Sequence, residues 1–361
     1  MRRVGCVDGE DKLIFCSNDY LGLANHPEII EAIKHGLDRW GFGSGGSRLI
    51  CGNQRPYKHL QERLAKQLHK QAALVLPSGW AANTALLSSL AQKDDLIAVD
   101  KLCHASIIDG AMMSPATMRR WEHRQIDKLK RLLDSKNYKK AFIVTDSLFS
   151  MDGDRAYLAE LVELKQRYDA MLIVDEAHAF GCIGADGAGC AAEAGVLDKV
   201  DIIIATLSKA LGGAGGFIVC DGVIRDYLVN KMRGFIFTTA MPAINCLAAE
   251  AALDIVEKQP ERRRRLLDNG NYLRQCCAEM RLDTATSDSY IVPIILGSAE
   301  KTMAAAEQLR AKGFMVSAVR PPTVRPGGSR LRISLTSEHT KADIDGLSKA
   351  LDEVLHSCTK Y

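Results

Sequence analysis

The middle of the chain alternates between short apolar runs and segments with helical periodicity. Strands of a mostly parallel sheet are covered by helices on both faces, so their sequences are continuous apolar runs. The intervening segments, such as 56–70 and 157–168, carry apolar residues at helical spacing. The alternation therefore predicts an α/β domain built on a mostly parallel sheet. The predicted strands are 96–100, 141–145, 171–175, 202–206, 216–220 and 235–238.

The pattern changes after about residue 255. A long helical stretch, 243–280, is interrupted by Pro260, and a final amphipathic helix begins with Thr340 and Asp343 at capping-box spacing. The strand-like runs between them are 290–295, 314–319 and 331–335. These segments predict a smaller α+β domain. The expected regions are an N-terminal segment at 1–18, a large α/β domain at 19–255 and a small C-terminal domain at 256–361.

The chain is nearly neutral and has no membrane-like segment. Its 47 basic and 44 acidic residues give a net charge of +3, which is no electrostatic reason to expect a nucleic acid as a partner. No apolar stretch reaches the length of a membrane span, and the first residues lack the apolar core of a signal peptide. The eleven cysteines are scattered, without a C-x-x-C pair or zinc spacing. We therefore expect a cytoplasmic protein without a metal site or a membrane partner.

One lysine stands between a predicted strand and a glycine-rich segment. Lys209 follows the run 202–206 and precedes the glycines of 212–216. A partly desolvated lysine loses its proton more easily and becomes an amine nucleophile that can form a Schiff base. The glycines allow another molecule to approach the backbone closely. On this segment alone, a solvated lysine beside an ordinary turn remains the alternative interpretation.

Polar side chains follow the ends of three predicted strands, where ligands bind in open α/β sheets. The three groups are Asp146 with Ser150, Asp175 with His178, and Thr206 with Lys209. Ser78 opens a predicted helix, whose free N–H groups form an anion site. These groups meet the needs of pyridoxal 5′-phosphate: a lysine for its aldehyde, an anion site for its phosphate and a carboxylate for its pyridine nitrogen. His104 is a candidate to cover a face of the ring.

Two other classes of nucleotide-dependent protein share single features with this chain. The string Asp175-Glu176-Ala177-His178 matches the acidic box of nucleic-acid-dependent ATPases, but the chain has no G-x-x-x-x-G-K-[ST] loop. The glycine-rich segments 41–46 and 212–216 do not have the G-x-G-x-x-G pattern of dinucleotide dehydrogenases. Neither class fits the chain.

Six motifs occur in order along the chain. They are SNDYLGL at 17–23, GSGGSR at 43–48, HAS at 104–106, SMDGD at 150–154, D-x-A-H at 175–178 and T-x-S-K at 206–209. Together they resemble the α-oxoamine synthases, enzymes that join an amino acid to an acyl thioester with loss of CO₂. The resemblance covers essentially the whole chain. It implies a fold-type-I pyridoxal-phosphate transferase, with a large, mostly parallel seven-stranded sheet flanked by helices and a smaller C-terminal α+β domain.

The resemblance also implies roles for matching residues. Lys209 would bind the cofactor and then take the Cα proton of the substrate. Asp175 would pair with the pyridine nitrogen, His178 would bond the phenolic oxygen and His104 would stack on the ring. Further cofactor contacts are implied at Gly79, Trp80, Ser150, Thr206, Thr238 and Thr239, and substrate contacts at Asn18, His104, Thr323 and Arg332. The segment with Thr238 and Thr239 resembles one that reaches the phosphate of a neighbouring subunit, which implies a homodimer with shared active sites.

Within the family, segments 320–324 and 330–332 are most similar to members that join L-alanine to a pimeloyl thioester in biotin biosynthesis. The thioester could be pimeloyl-CoA or a pimeloyl-carrier protein. Members that use glycine or serine share the same core and remain alternatives, as does a non-catalytic cofactor-binding sensor. The family usually has further residues ahead of Ser17, so the N-terminal segment is expected to be shortened, and Glu176 stands where the family frequently has Asp.

Overall fold

The computed structural model describes residues 3–356 and forms two compact units. The large unit comprises His26–Phe149 and Arg155–Lys258. The small unit comprises the residues up to Asn25, the segment Ser150–Asp154 and the residues from Gln259 onward. The small unit thus combines both ends of the chain with a short internal segment. The expected boundaries at residues 18 and 255 remain predictions.

The strands and helices are numbered in chain order. The strands are β1 Val4–Val7, β2 Glu10–Ile14, β3 Ala72–Leu76, β4 Leu96–Asp100, β5 Thr117–Trp121, β6 Ala141–Asp146, β7 Met171–Asp175, β8 Ile202–Thr206, β9 Gly216–Cys220, β10 Ile291–Gly297, β11 Phe314–Met315, β12 Ser317–Val319 and β13 Ser329–Ser334. The α-helices are α1 Pro27–Trp40, α2 Arg55–Gln67, α3 Gly79–Leu90, α4 Ala105–Met113, α5 Ile126–Asp134, α6 Leu158–Tyr168, α7 Cys190–Glu193, α8 Gly222–Lys231, α9 Arg233–Ile236, α10 Ala243–Lys258, α11 Pro260–Glu279, α12 Ala299–Ala311 and α13 Lys341–His356. A 3₁₀ turn spans Leu197–Lys199.

The large unit contains the predicted seven-stranded, mostly parallel sheet. Its strand order is β3-β9-β8-β7-β6-β4-β5, and β9 runs antiparallel to both of its neighbours. Strands β4, β6, β7 and β8 are parallel neighbours, and every residue of β4, β6 and β8 is buried. Burial of both faces explains why these strands are continuous apolar runs in the sequence. The fold prediction is confirmed.

Helix α3 and helix α4 pack against each other and contribute to the core on one face of this sheet. Leu86 and Leu87 of α3 and Ile107 of α4 are fully buried beside Ile97 and Ile204 of the strands. Burying a side chain of this size stabilises the fold by roughly 1.5–3 kcal/mol. The apolar face of each helix therefore fixes the helix on the sheet, and with it the position of the helix start relative to the strand ends. This packing places both helix N-termini at the carboxyl edge of the sheet.

The predicted strand at 235–238 is wrong. The structure has the short helix α9 there, which ends at Ile236, and Phe237 is largely exposed. A short apolar run does not distinguish a strand from a buried turn of helix by periodicity alone. The sheet is completed by β3 and by the edge strand β5, whose largely exposed sequence does not form an apolar run.

The small unit has two three-stranded sheets, ordered β10-β13-β12 and β1-β2-β11. The predicted strand at 314–319 is therefore divided between the two sheets, as β11 and β12. The predicted capping box of α13 is present, because Asp343 Oδ2 accepts from the backbone N–H of Thr340 at 2.7 Å and the N–H of Asp343 donates to Thr340 Oγ1 at 3.3 Å.

Across residues 3–356, every helix is too short or too polar to cross a lipid bilayer.

Candidate active site

A cavity of about 190 Å³ opens at the carboxyl edge of the seven-stranded sheet, within the large unit. This is the position where ligands bind in open α/β sheets. Seven of the residues predicted for the site line it. They are Gly79, Trp80, His104, Asp175, His178, Thr206 and Lys209. The strand ends and the N-termini of α3 and α4 bring them together from four separate parts of the chain.

Lys209 and His178 are in direct contact. Lys209 Nζ lies 2.7 Å from His178 Nε2, and His178 is buried at the end of β7 while Lys209 is half-buried after β8. A lysine ammonium can only donate, so in that protonation state His178 accepts through Nε2. The contact holds the lysine side chain in the cavity beside the imidazole. At this distance a proton can pass between the lysine amine and the imidazole.

Asp175 is held in place by two hydrogen bonds. Its Oδ2 accepts from Asn83 Nδ2 at 2.7 Å, and its Oδ1 accepts from the backbone N–H of Ala177 at 2.8 Å. The two donors fix the orientation of this buried carboxyl group. Asn83 also donates to Ser106 Oγ at 2.9 Å, so one amide connects α3, α4 and β7. Asn83 is not among the residues predicted for the site, although it lies in the first turns of the helix that Ser78 is predicted to open.

His104 is the N-cap residue of α4, and its ring reaches the cavity. The backbone N–H of Ser106 donates to His104 Nδ1 at 3.2 Å, so the neutral ring carries its proton on Nε2. Partial burial lowers the pKa of His104 more than the nearby Asp175 carboxylate raises it. The indole of Trp80 packs edge-on against the imidazole, with ring centroids 6.0 Å apart. His104 therefore presents a neutral, flat surface to the cavity.

The N-terminus of α3 offers two backbone donors. Ser78 caps this helix by accepting from Ala81 N through Oγ and from Ala82 N through its carbonyl, each at 3.0 Å. Within residues 3–356, the N–H groups of Gly79 and Trp80 have no hydrogen-bond partner. Free N–H groups at a helix start, together with the helix dipole, form an anion site.

The glycine-rich segment after Lys209 packs against this helix start. A Cβ on Gly216 would lie 2.5 Å from the backbone N of Gly79 and from the carbonyl of Ser78, so only glycine fits. Thr206 Oγ1 donates to the carbonyl of Gly215 at 2.9 Å, which closes the loop that carries Lys209. The glycines therefore bring β9 and the lysine loop close to the anion site. They contribute close packing rather than a phosphate loop of their own.

Glu176 is fully buried and holds the loop that follows His178. Its carboxylate accepts from Ser147 Oγ at 2.6 Å and from the backbone N–H groups of Cys190 and Ala191 at 3.0 and 2.8 Å. Burial raises the pKa of Glu176, and these three donors oppose that rise. The residue fixes the start of α7 beneath the His178 segment. The sequence patterns do not predict this structural role of Glu176.

Thr238 and Thr239 belong to the large unit but do not line this cavity. They lie on a segment that is attached to the GSGGSR motif: Ser47 and Thr239 form an antiparallel bridge, and the N–H of Ala240 donates to Gly46 O at 3.0 Å. Thr239 is exposed in the single chain. The motif at 43–48 therefore has a structural role, which is to hold the segment that carries the two threonines.

Arg332 lies on β13 in the small unit and is 5% exposed. Its guanidinium donates to Ser150 O at 2.5 Å, Ser334 Oγ at 2.7 Å and Asn18 Oδ1 at 3.2 Å. Among the described residues no carboxylate pairs with it, whereas the neighbouring Arg330 forms an ion pair with Asp152 at 2.6 Å. A buried cation without a counter-charge favours binding of an anion.

The other predicted residues of the small unit have simpler surroundings. Ser150 contributes its carbonyl to Arg332, and Asn18 contributes its side-chain oxygen. Thr323 is exposed, and its N–H donates to Arg320 O at 3.0 Å. It lines an open depression formed by residues 318–323. Their predicted roles toward cofactor and substrate remain predictions.

The cavity residues fit pyridoxal 5′-phosphate by their chemistry. Lys209 supplies an amine, Asp175 a carboxylate fixed by two donors, and the start of α3 two free N–H groups for a phosphate. His104 supplies a neutral ring that can cover one face. Each need of the cofactor is thus met by a residue whose position the packing explains.

Comparisons with known proteins identify the family of the chain. The family model described as aminotransferase class I and II matches residues 10–351. The 8-amino-7-oxononanoate synthase of Geotalea daltonii is 43% identical over 352 residues, which are 96% of this chain and 90% of the relative. Such identity over nearly the whole of both chains exceeds what a shared fold alone requires.

Solved structures give the same result for the backbone. Serine palmitoyltransferase of Sphingomonas wittichii has a TM-score of 0.95 and 29% identity, covering 99% of this chain and 90% of that one. The 8-amino-7-oxononanoate synthase of Francisella tularensis has a TM-score of 0.83 and 31% identity, covering 96% of this chain and 99% of that one. The chain therefore belongs to the aminotransferase class I and II family and, within it, to the family of 8-amino-7-oxononanoate synthases.

Proposed function

We propose that the protein is a pyridoxal-phosphate-dependent acyltransferase of biotin biosynthesis. It condenses L-alanine with a pimeloyl thioester and forms 8-amino-7-oxononanoate, CO₂ and a free thiol. The observation that carries the proposal is the 43% identity, over 96% of the chain, to a relative named for this product. The lysine, carboxylate and helix start in one cavity supply the matching chemistry.

The cofactor, when bound, supplies an electron sink for negative charge at the substrate Cα. Lys209 would hold it covalently, and Asp175 would pair with its pyridine nitrogen. His178 would bond the phenolic oxygen and His104 would cover the ring. The remaining proposed cofactor contacts are Gly79, Trp80, Ser150 and Thr206.

Lys209 is the proposed proton carrier. Once L-alanine has displaced Lys209 from the cofactor, the lysine amine would take the Cα proton, and His178, whose Nε2 lies 2.7 Å from Nζ, would keep the amine oriented in the cavity. The Cα would then form a bond to the thioester carbonyl carbon, and the C–S bond would break with its electron pair on sulfur, so that a thiolate leaves and takes a proton from water. The carboxylate of alanine departs as CO₂, and the lysine returns a proton to the same carbon.

Arg332 is proposed to bind the carboxylate of the amino acid. It is 5% exposed and, among the described residues, has no carboxylate partner of its own. A planar guanidinium presents two parallel donors to a carboxylate, which a lysine cannot do. Asn18, already bonded to Arg332, and Thr323 are the other proposed substrate contacts.

The proposed assembly is a homodimer with shared active sites, in which Thr238 and Thr239 reach the cofactor phosphate of the partner. Three large apolar side chains that flank, in the sequence, this segment or the motif at 43–48 bridged to it are exposed in the single chain: Phe42, Ile50 and Phe237. A cluster of exposed apolar side chains indicates a protein interface. Mixing Lys209→Ala with Thr239→Ala chains tests the sharing, because a mixed dimer then contains one intact site and regains activity. Mixtures without activity, formed by dimers shown to exchange subunits, would contradict a shared site.

A second candidate function is serine palmitoyltransferase, or another condensation that uses glycine or serine. The backbone observation that favours it is the TM-score of 0.95 to the Sphingomonas wittichii enzyme. Sequence identity to that enzyme is 29%, well below the identity to the Geotalea daltonii relative. A cofactor-binding sensor without catalysis is the third alternative.

An activity panel separates these functions. Alanine, glycine and serine are each combined with pimeloyl-CoA, pimeloyl-carrier protein and palmitoyl-CoA, and the released CO₂ and thiol are measured. We expect the highest kcat/KM with alanine and a pimeloyl thioester, with one CO₂ per thiol and no turnover by Lys209→Ala. Faster turnover of serine with palmitoyl-CoA would establish the second candidate, and cofactor binding without CO₂ release from any pair would establish the sensor. The carrier preference, coenzyme A or carrier protein, follows from the same panel.

The proposed location is the cytoplasm. All cysteines in the described part of the chain are free thiols, which agrees with a reducing compartment.

A further inference from the structure

Asp146 lies at the end of β6, directly beside Asp175 at the end of β7. The two residues are partners in the parallel register, so their side chains leave the same face of neighbouring strands, which lie about 5 Å apart. Both line the cavity, and Asp146 is 3% exposed. The proposed function uses Asp175 and gives Asp146 no role.

The two carboxyl groups have different hydrogen-bond partners. Asp175 receives two donors, from the amide of Asn83 and the backbone of Ala177. Asp146 receives one, from the backbone N–H of His104 to Oδ2 at 3.2 Å, and its Oδ1 is buried without a partner among the described residues. A buried carboxylate with an unpaired oxygen is costly, whereas a neutral carboxyl can direct an O–H from that oxygen to an acceptor.

We propose that Asp146 is kept as a neutral carboxylic acid that positions His104 and presents an O–H donor to the cavity, leaving Asp175 as the ionised member of the pair. Asp146 would then be a positioning residue. Its Oδ2 fixes the backbone of His104 at the start of α4, where the ring packs beside the cavity. Its neutral state avoids a second negative charge next to Asp175. When two carboxyl groups lie close together in different environments, one can stay protonated while the other is ionised.

The charged and titratable groups around Asp146 agree with this assignment. Asp100 at the end of β4 and Asp175 on β7 both oppose ionisation, and Lys209 favours it. The buried Cys103 thiol precedes His104 on the same loop. Burial is the largest influence and, with Asp175, raises the pKa of Asp146 well above its usual range. The geometry and the surrounding charges therefore point in the same direction.

Substitution of Asp146 by Asn tests whether its carboxyl group is neutral, because Asn has the same shape and carries no charge. In Asp146→Asn, the amide oxygen can accept from the backbone of His104 and the amide nitrogen can donate to the cavity, so both proposed functions are preserved. Asp175→Asn is the matched control, because the same change there removes a negative charge. The inference rests on the proposed function, and the first readout is therefore chosen to need neither substrate nor cofactor.

The first experiment is infrared difference spectroscopy of the cofactor-free protein at pH 8. We expect the wild type to show the C=O stretch of a protonated carboxyl, Asp146→Asn to lose it and Asp175→Asn to keep it. A wild type without this band, or a band that survives in Asp146→Asn, overturns the proposal. The wild-type spectrum alone can overturn the proposal, so the test remains decisive in that direction even where the Asp146 variant folds poorly. Failure of the alanine and pimeloyl assay would leave this result unchanged.

The second experiment titrates pyridoxal 5′-phosphate into the cofactor-free proteins. We expect the dissociation constant of Asp146→Asn to stay within about threefold of the wild type, because a matched hydrogen-bond exchange is nearly neutral. Asp175→Asn should bind at least about tenfold more weakly, since a hydrogen-bonded charge pair is lost. Asp146→Leu should also bind more weakly, since it removes the acceptor for His104. Equal losses in both Asn variants would show that Asp146 acts as a carboxylate.

Discussion

Asn83 donates a 2.7 Å hydrogen bond from its side-chain amide to Asp175, and this bond connects the first turns of α3 to the end of β7. The amide is 2% exposed, so the bond is shielded from water. Asn83→Ala should leave one oxygen of Asp175 without its donor, and losing a partner of a buried charge costs about 1.5–3 kcal/mol. We expect pyridoxal 5′-phosphate to bind at least about tenfold more weakly, measured by absorbance titration.

The control for this change is Asn230→Ala. Asn230 is exposed on α8, and its amide bonds only to a backbone carbonyl of its own helix. Its removal should leave cofactor affinity unchanged. Equal affinities for Asn83→Ala and the wild type would show that the Ala177 N–H suffices to hold Asp175.

The strand ends of the site could be predicted from the sequence, but Asn83 could not. Asp175 and Thr206 directly follow apolar runs, and parallel strands bring their carboxyl ends to one edge. Asn83 sits one turn inside a helix, and its contact with Asp175 depends on how α3 packs over the sheet. Periodicity gives the buried face of a helix but not which strand residue that face meets.

The same limit explains the errors in the fold. Helix α9 and a short buried strand have the same kind of apolar run, so 235–238 was predicted as a strand. Strand β5, Thr117–Trp121, is an edge strand with mostly exposed side chains, and its sequence lacks the signal that revealed the central strands. In both segments the secondary structure depends on contacts with residues that are distant in the sequence. A local sequence pattern carries no information about those contacts.

Glu176→Gln tests the loop that follows His178. The carboxylate accepts three hydrogen bonds through its two oxygens. A Gln side chain has one oxygen and one NH₂ group, so the NH₂ group would face at least one of these donors and could not accept from it. We expect a loss of about 2–3 kcal/mol in the free energy of unfolding, measured by urea denaturation. Glu163→Gln, at an exposed site on α6, is the control and should change stability by less than about 0.5 kcal/mol. Equal stabilities for the two variants would contradict the role of Glu176.

Gly216→Ala tests the close packing between β9 and the start of α3. The new Cβ would lie 2.5 Å from backbone atoms of Ser78 and Gly79, and backbone cannot move away as a side chain can. We expect a loss of about 1–3 kcal/mol in unfolding free energy and weaker cofactor binding, because the anion site is displaced. Gly43→Ala is the matched control, since a Cβ there meets nothing within 4 Å. A Gly216→Ala protein with wild-type stability and cofactor affinity would refute this interpretation.

His339 links stability to pH through the small unit. It is 4% exposed and stacks on Phe15 with ring centroids 4.1 Å apart. Its Nδ1 accepts from the backbone N–H of Thr336 at 3.0 Å, and its Nε2 lies 3.1 Å from Ile14 O, which accepts from it. Both ring nitrogens are thus used by the neutral tautomer. Burial lowers the pKa of His339 from 6.5 to about 4.

This depressed pKa predicts the direction of the pH effect. Between about pH 6.5 and pH 4 the unfolded chain binds a proton at His339 that the folded chain does not, so stability falls as the pH falls through this window. The slope attributable to one such group is about 1.4 kcal/mol per pH unit. We expect urea denaturation from pH 7 to pH 4.5 to show a steeper loss for the wild type than for His339→Gln, which has no titrating ring. His35→Gln, an exposed histidine on α1, should keep the wild-type slope. Parallel curves for the wild type and His339→Gln would show that the buried ring is not the source of the acid sensitivity.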